Sequence, residues 1–116
     1  MDNGDMNSIE SPQIILSLEF KQRILKRVPC HLLIYHNRLN IDFHSQRNKI
    51  IPVKFKIYHE EVEKIIYKRE NNNTGEGKMF IYANGLKNIF YHHYNIDNKI
   101  ENIFINYYGD DFIIIK

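Results

Sequence analysis

This sequence of 116 residues has no tryptophan, one cysteine and scarce alanine, and it contains only five glycines and three prolines. The single Cys30 excludes a framework of internal disulfides and suits a reducing compartment. No apolar run approaches the ~20 residues that a membrane-spanning helix needs. The polar, acidic start of the chain lacks the charged-then-apolar order of a signal peptide. These absences predict an intracellular protein, in the cytoplasm or nucleus, with no transmembrane segment.

The residues that are present are typical of one folded domain. Hydrophobic residues make up 43% of the chain and aromatic residues 13%, and isoleucine, which packs well on a pleated surface, is plentiful. Residues 1–12 are predicted to be a flexible lead-in, and residues 13–116 a single β-rich domain. The net charge of +2 and the pI of about 8.6 make the chain mildly basic, which is compatible with an acidic partner but does not indicate one.

Alternating apolar and polar residues predict a series of short strands. They cover residues 14–20, 31–35, 38–43, 51–57, 79–83 and 86–94. Asn84-Gly85 joins the last two strands as a tight hairpin turn, and residues 71–77 form a loop. Pro52 lacks an N–H donor, so its strand is predicted to lie at a sheet edge. Residues 22–28 and 60–69 fit both helix and strand; for the second segment we favour a turn around residues 59–61 followed by a strand.

A change of period near the C-terminus predicts one amphipathic helix. Asp97 is suited to the N-cap and Gly109 to the C-terminal cap. Between them the apolar residues recur at helical spacing and share one face: Ile100, Ile103, Phe104, Tyr107 and Tyr108. The predicted fold class is therefore mainly β, a barrel or sandwich of about six or seven strands closed by this helix.

This order of elements resembles the pleckstrin-homology-like superfamily. The segment RILKRVPCHLLIYHNRLNIDF is similar to its paired opening strands, and IPVKFKIYHEEVEKIIYKRE to its middle strands. KMFIYANGLKNIFYHHYN and DNKIENIFINYY resemble its last hairpin and closing helix. The closing helix of such domains usually carries a tryptophan, which this chain lacks; Phe104 or Tyr107 would take that place. The resemblance implies a non-enzymatic interaction module that docks a protein partner, either at the strand edge near residues 51–57, where Lys54 and Lys56 lie, or in the groove beside the closing helix.

A basic cluster supports an alternative function. Its members are Lys21, Arg23, Lys26 and Arg27, with Arg38 further along the chain. Lipid-binding members of the superfamily gather phosphate ligands near their first loop, so the resemblance implies binding of a phosphoinositide or another acidic lipid here. Single-stranded nucleic acid is the other candidate, because tyrosines are interleaved with basic residues. The competing interpretation is an ordinary solvated strand face balanced by acidic residues such as Glu19.

Neither the histidines nor the cysteine forms a recognisable site. The chain has six histidines, but His92 and His93 are adjacent and would point to opposite faces of a strand. Cys30 and His31 are likewise adjacent and would point to opposite faces of a strand. No nucleophile motif surrounds the thiol. We therefore predict no metal, no cofactor and no catalytic residue.

The segment INYYGDDFIII resembles the tyrosine-x-aspartate-aspartate hairpin of reverse transcriptases, with Tyr108, Asp110 and Asp111 in the matching places. In that family the paired carboxylates hold catalytic magnesium between two apolar strands. A polymerase palm needs a further aspartate and a template channel, which 116 residues do not supply. The helical spacing up to Tyr108 also competes with a strand, so a helix end followed by a turn is the favoured interpretation.

Overall fold

The structure is a computed structural model that describes residues 11–23, 26–43, 54–71, 73 and 75–115. Within this part of the chain it has eight strands and one α-helix, which confirms the predicted mainly-β class with a single helix near the C-terminus. In chain order the elements are β1 (Ile14–Arg23), β2 (Lys26–Ile34), β3 (Arg38–Phe43), β4 (Lys54–Tyr58), β5 (Val62–Asn71), β6 (Glu76–Ala83), β7 (Leu86–His92), α1 (Asn98–Tyr108) and β8 (Phe112–Ile115). Most of the predicted lead-in, and Pro52, lie outside the described residues.

The described strands form one sheet in the order β4-β3-β2-β1-β7-β6-β5-β8. Neighbouring strands are antiparallel except β5 and β8, which run parallel. The strands form two antiparallel series, β1 to β4 and β5 to β7, in which short connections join every consecutive pair except β3 and β4. β1 and β7 then join the two series.

The structure gives the conformation of three segments for which the sequence pattern left the secondary structure open. Residues 22, 23 and 26–28, the described part of the first ambiguous segment, are strand residues of β1 and β2 and not part of a helix. A single 3₁₀ turn, His59–Glu61, precedes β5, as favoured above. The apolar residues that follow α1 form a paired strand, β8, because α1 returns the chain to the edge of β5. Among the described strands β4 lies at the end of the sheet order, the position predicted for the strand that carries Pro52.

The core is built from alternating inward residues of both series. Leu32, Leu39 and Ile41 from the first series belong to the same buried cluster as Ile65 and Ile81 from the second. The sheet therefore curves around one common core. Aromatic rings join the two series at the β1–β7 contact, where the centroid of Phe20 lies 5.4 Å from Phe90 and 5.6 Å from Phe43.

α1 packs on this core with the face predicted from the sequence. The Asp97 carboxylate accepts a 2.9 Å hydrogen bond from the Ile100 N–H, and Gly109 ends the helix with a φ of 56°. Phe104 is fully buried and stacks on Phe112 with the ring centroids 4.9 Å apart. With eleven residues α1 is far shorter than a bilayer span, and the described part of the chain contains no longer apolar helix that could serve as one.

Candidate functional site

A surface groove lies where β1 and β7 separate. β1 pairs with β2 along its whole length, but it pairs with β7 only at Glu19 and Phe20. After His92 the chain leaves the sheet and runs through residues 93–97 into α1. Among the described residues no strand therefore covers the β7 side of β1 at residues 14–18. The groove lies in that opening and has a volume of about 270 Å³.

Apolar side chains dominate the groove. Its lining comprises Ile15, Leu16, Ser17, Leu18, Tyr67, Met79, His92, Tyr94, Asn95, Ile96, Asp97 and Ile100. Two of these residues are exposed hydrophobics, Ile15 at 58% and Tyr94 at 85%. The sequence pattern placed Ile15 on the polar face of its strand and Tyr94 at the end of the predicted strand 86–94, whereas β7 ends at His92. The only sequence signal for the groove was the run Ile14-Ile15-Leu16, which puts apolar residues on both faces of β1.

Hydrogen bonds hold the wall of the groove that is formed by residues 94–97, the segment that leads into α1. The buried Tyr67 hydroxyl donates to the Asn95 side-chain oxygen at 3.2 Å and accepts from the Ile96 N–H at 2.9 Å. The Tyr67 ring stacks on His92, with centroids 4.8 Å apart. His92 Nε2 donates to the Lys68 carbonyl oxygen at 2.9 Å, because a carbonyl can only accept. The floor and one wall of the groove are thus held in a single arrangement.

The predicted basic cluster lies on the β1–β2 hairpin. Lys21 is the cross-strand partner of Arg27, and Arg23 that of Lys26. Lys26 and Arg27 are exposed and Lys21 is half-buried, whereas the Arg23 side chain lies outside the described part of the structure. Binding of an acidic ligand by this hairpin stays a prediction.

Arg27 already has acidic and aromatic partners. Its guanidinium forms a bidentate pair with Glu76, lies 3.6 Å from a Glu19 carboxylate oxygen, and covers the Tyr91 ring at 3.6 Å. The hydrogen bond from Arg27 holds the pKa of the Glu76 carboxyl below its usual value, and the pKa of Arg27 is raised in return. These contacts compete with any phosphate for the guanidinium.

Arg38 is not part of the hairpin cluster. It begins β3, at the opposite end of β2 from Lys26, and nine strand residues span roughly 25 Å. Its guanidinium donates to the side-chain oxygens of Asn37 and Asn40 and lies 4.2 Å from the Tyr35 ring centroid. The resemblance to the superfamily grouped Arg38 with the cluster, but β2 and β3 place it far from Lys26 and Arg27.

The predicted partner-binding edge is only partly described. Lys56 is exposed on β4, with its ammonium 5.7 Å from the Tyr58 ring centroid, and the Lys54 side chain lies outside the described residues. A depression of about 390 Å³ is lined by Arg38, Asn40, Phe55 and Lys56.

Among the described residues, one group has donor atoms suited to a metal. Single ligand atoms of Glu19, Glu76 and His93 lie within 4.8 Å of one another. Arg27 contacts both carboxylates, and His93 Nε2 lies 3.3 Å from Glu19. The guanidinium thus already places a positive charge among these acids, so the arrangement is an ion-pair network between β1, β2, β6 and the end of β7.

His59 joins three elements at the other end of the molecule. Its Nε2 donates to the Tyr35 carbonyl oxygen at 2.8 Å, so the neutral ring accepts at Nδ1 from the Tyr108 hydroxyl, 2.6 Å away. The ring also stacks on Tyr107 at 4.2 Å. Burial lowers the pKa of His59 and raises that of Tyr108, which suits this neutral pair.

The acidic pair and the cysteine singled out in the sequence lie in a turn and in the core, respectively. Asp110 and Asp111 are exposed in the turn between α1 and β8, so the predicted helix end and turn are confirmed in place of a two-strand hairpin. Cys30 is fully buried in the core, and burial raises the pKa of its thiol to about 12. A buried, protonated thiol is a poor nucleophile.

Comparisons with known proteins give a fold but no family. No family model matches the sequence, and no curated protein matches it significantly. Among solved structures, the chain is similar to the hSac2 domain from the human phosphoinositide phosphatase Sac2, with 12% identity and a TM-score of 0.58 over 99% of this chain and 90% of that one. It is also similar to the C-terminal domain of an unknown protein from Leishmania infantum, with 13% identity and a TM-score of 0.61 over 90% and 88%. At such identities the likeness concerns the fold alone.

Proposed function

We propose that this domain is a non-enzymatic interaction module with a pleckstrin-homology-like scaffold, and that it binds an extended segment of a protein partner in the groove beside α1. The scaffold assignment is supported by the order of two antiparallel strand series followed by a helix on the common core. Of the two docking surfaces predicted from the sequence, the groove is the one whose walls the structure describes.

The uncovered half of β1 is the observation that supports this function. In a strand, alternate residues direct their N–H and C=O groups to opposite sides. At residues 14–18 one side is taken by β2, and among the described residues no strand covers the other. Unmet backbone groups at a strand edge are satisfied by another extended chain, which is how peptides add to sheets.

The side chains that line the groove indicate which kind of peptide it would bind. Leu16, Met79 and Ile100 give it an apolar interior, so a bulky apolar side chain that enters it would gain free energy by leaving water. Ile15 and Tyr94 stand exposed at the rim, where a bound chain would cover them. We expect the ligand to be an extended segment with one such side chain among β-forming residues.

Peptide selection supplies the probe for a test. Random peptides displayed on phage are selected against the domain, and the bound peptide is then followed by amide hydrogen exchange. We expect protection to appear at alternate residues of 14–18. Ile15→Asp and Tyr94→Ala should each weaken binding about tenfold or more, because both side chains are exposed in the free protein and become buried in the complex.

Leu86→Asp is the matched control. Leu86 is 67% exposed at the β6–β7 turn, away from the groove, so this change should leave the affinity unaltered. Selected peptides that bind the Ile15→Asp protein as tightly as the wild type, or that protect β4 amides instead, would contradict the assignment of the groove.

A further inference from the structure

A second surface, separate from the groove, lies on the outer face of β5, β6 and β7. Phe80 and Tyr82 occupy alternate positions of the central strand β6, and both are half-buried. The cross-strand partners of Phe80 are Ile66 and Ile89, and those of Tyr82 are Lys64 and Lys87. Two aromatic rings therefore stand side by side on one face, roughly 6.6 Å apart along the strand, with apolar and basic neighbours.

Lysines predominate on this face; Glu76, two residues before Lys78 on the same side of β6, is held by Arg27. Lys64, Lys68, Lys78 and Lys87 are all exposed, and no acidic side chain in the described part of the chain forms an ion pair with any of them. Lys68 and Lys78 are directly opposite each other. Like charges in that position destabilise a sheet, so the free protein has unfavourable repulsion that a bound anion would relieve.

The lysines cover the aromatic rings without fixing them. The Lys64 ammonium lies 4.8 Å from the Tyr82 ring centroid, and the Lys87 ammonium lies 5.1 Å from Phe80 and 6.0 Å from Tyr82. Exposed cation–π contacts of this kind contribute only about 0.5–1 kcal/mol. Each ammonium can therefore move to a phosphate and leave the ring free for another flat group.

We propose that this face binds single-stranded nucleic acid, with bases stacked on Phe80 and Tyr82 and phosphates held by the surrounding lysines. Aromatic rings beside basic residues on an open surface are the features that bind single strands without a strict sequence. Both rings are half-buried in the sheet, so a splayed base that lies flat on them can reach them more readily than a lipid bilayer can. At β7 the face ends, because Arg27 covers Tyr91, which is only 7% exposed.

Fluorescence anisotropy with a labelled oligothymidylate of about ten nucleotides tests the proposal. Phe80→Leu and Tyr82→Leu keep an apolar side chain but remove the stacking surface, and each should weaken binding about tenfold. Lys64→Gln with Lys87→Gln should weaken it further. The same pair should also reduce the slope of log affinity against log salt by about 0.7 for each lost phosphate contact.

The control is a matched change on the hairpin, Lys21→Gln with Lys26→Gln, which removes the same charge away from the rings. Thermal unfolding confirms that each variant is folded. If this control variant binds the oligonucleotide as tightly as the wild type, the outer face is supported. If it loses more affinity than the variant with Lys64→Gln and Lys87→Gln, the site lies on the hairpin and the proposal is overturned.

Two other results would also overturn it. One is absence of oligonucleotide binding at low salt. The other is co-sedimentation of the protein with phosphatidylserine vesicles that depends on Phe80 and Lys87 while the oligonucleotide stays free, since the face would then be a membrane surface. Ile15→Asp should leave oligonucleotide binding unchanged, so the failure of either proposal can be told from that of the other.

Discussion

At the scale of single residues, Gly77 is required by a close approach between strands. It lies on β6 opposite His92, whose ring occupies the space where a side chain would begin. A Cβ built at this position would also be 2.6 Å from the Lys68 carbonyl oxygen on β5. The absence of a side chain therefore allows the buried imidazole to form the groove floor and donate to that same carbonyl.

We expect Gly77→Ala to destabilise the protein by about 1–3 kcal/mol, because overpacking forces the His92 ring or the β5 backbone to move. Urea unfolding followed by circular dichroism measures the change. Lys78→Ala, at the next and exposed position, is the control and should stay within about 0.5 kcal/mol of the wild type. Equal unfolding midpoints for Gly77→Ala and the wild type would mean that the ring does not occupy this space.

At the scale of elements, α1 and its ends were predictable because their signals are local. Asp97, Gly109 and the 3.6-residue period lie within one stretch of thirteen residues. The ion pair between Glu101 and Arg69, 2.7 Å long, was not predictable, because it joins α1 to β5 across 32 positions of sequence. For the same reason β8 was missed as a strand: its partner β5 lies far back along the chain.

Adjacent residues of α1 offer a direct test of its two faces. Phe104 is fully buried, whereas Ile105 is 44% exposed. Phe104→Asp should cost several kcal/mol of unfolding free energy or prevent folding, because it places an unpaired charge in the core. Ile105→Asp introduces the same group on the solvent side and should change the stability by less than about 0.5 kcal/mol. Similar melting temperatures for the two variants would show that α1 does not pack through Phe104.

At the scale of the whole molecule, the sequence indicates the strands but not the way in which they meet. The groove exists because β1 and β7 pair at only two positions and then separate. The outer basic face exists because the registers of β5, β6 and β7 align Phe80 with Ile66 and Ile89. The β1–β7 pairs join residues about 70 positions apart, so the roles of Ile15 and Tyr94 could not be predicted from local pattern. The grouping of lysines around Tyr82 depends on the registers of β5 and β7 against β6, which the strand pattern alone does not specify.

His59 is a non-local contact with a measurable consequence for the whole fold. It connects the 3₁₀ turn after β4 to the Tyr35 carbonyl at the end of β2 and to Tyr108 at the end of α1. A proton on Nδ1 would oblige the Tyr108 hydroxyl to stop donating to it. The folded state therefore favours the neutral ring and lowers the pKa of His59, chiefly because of burial. The hydrogen bond to the Tyr35 carbonyl and the charge of Glu60 oppose this shift, and His36 reinforces it.

The sign of the pH dependence follows from this preference. The folded-state pKa of His59 lies below the ordinary value of about 6.5, so the unfolded chain takes up its proton first as the pH falls. The stability contributed by the neutral ring is complete above about pH 6.5 and is lost as the pH falls toward the folded-state pKa. Because a single group titrates, the unfolding free energy changes by at most about 1.4 kcal/mol per pH unit.

Urea unfolding from about pH 7.5 down to about pH 5 should therefore show the wild type losing stability faster than His59→Gln, so that the two unfolding free energies converge at low pH. Glu60 and His36 are present in both proteins, so their direct contributions largely cancel in the difference. The glutamine amide can still donate to the Tyr35 carbonyl but cannot titrate. Parallel curves over this range would mean that protonation of His59 does not oppose folding and that the link between β2 and α1 is made without it.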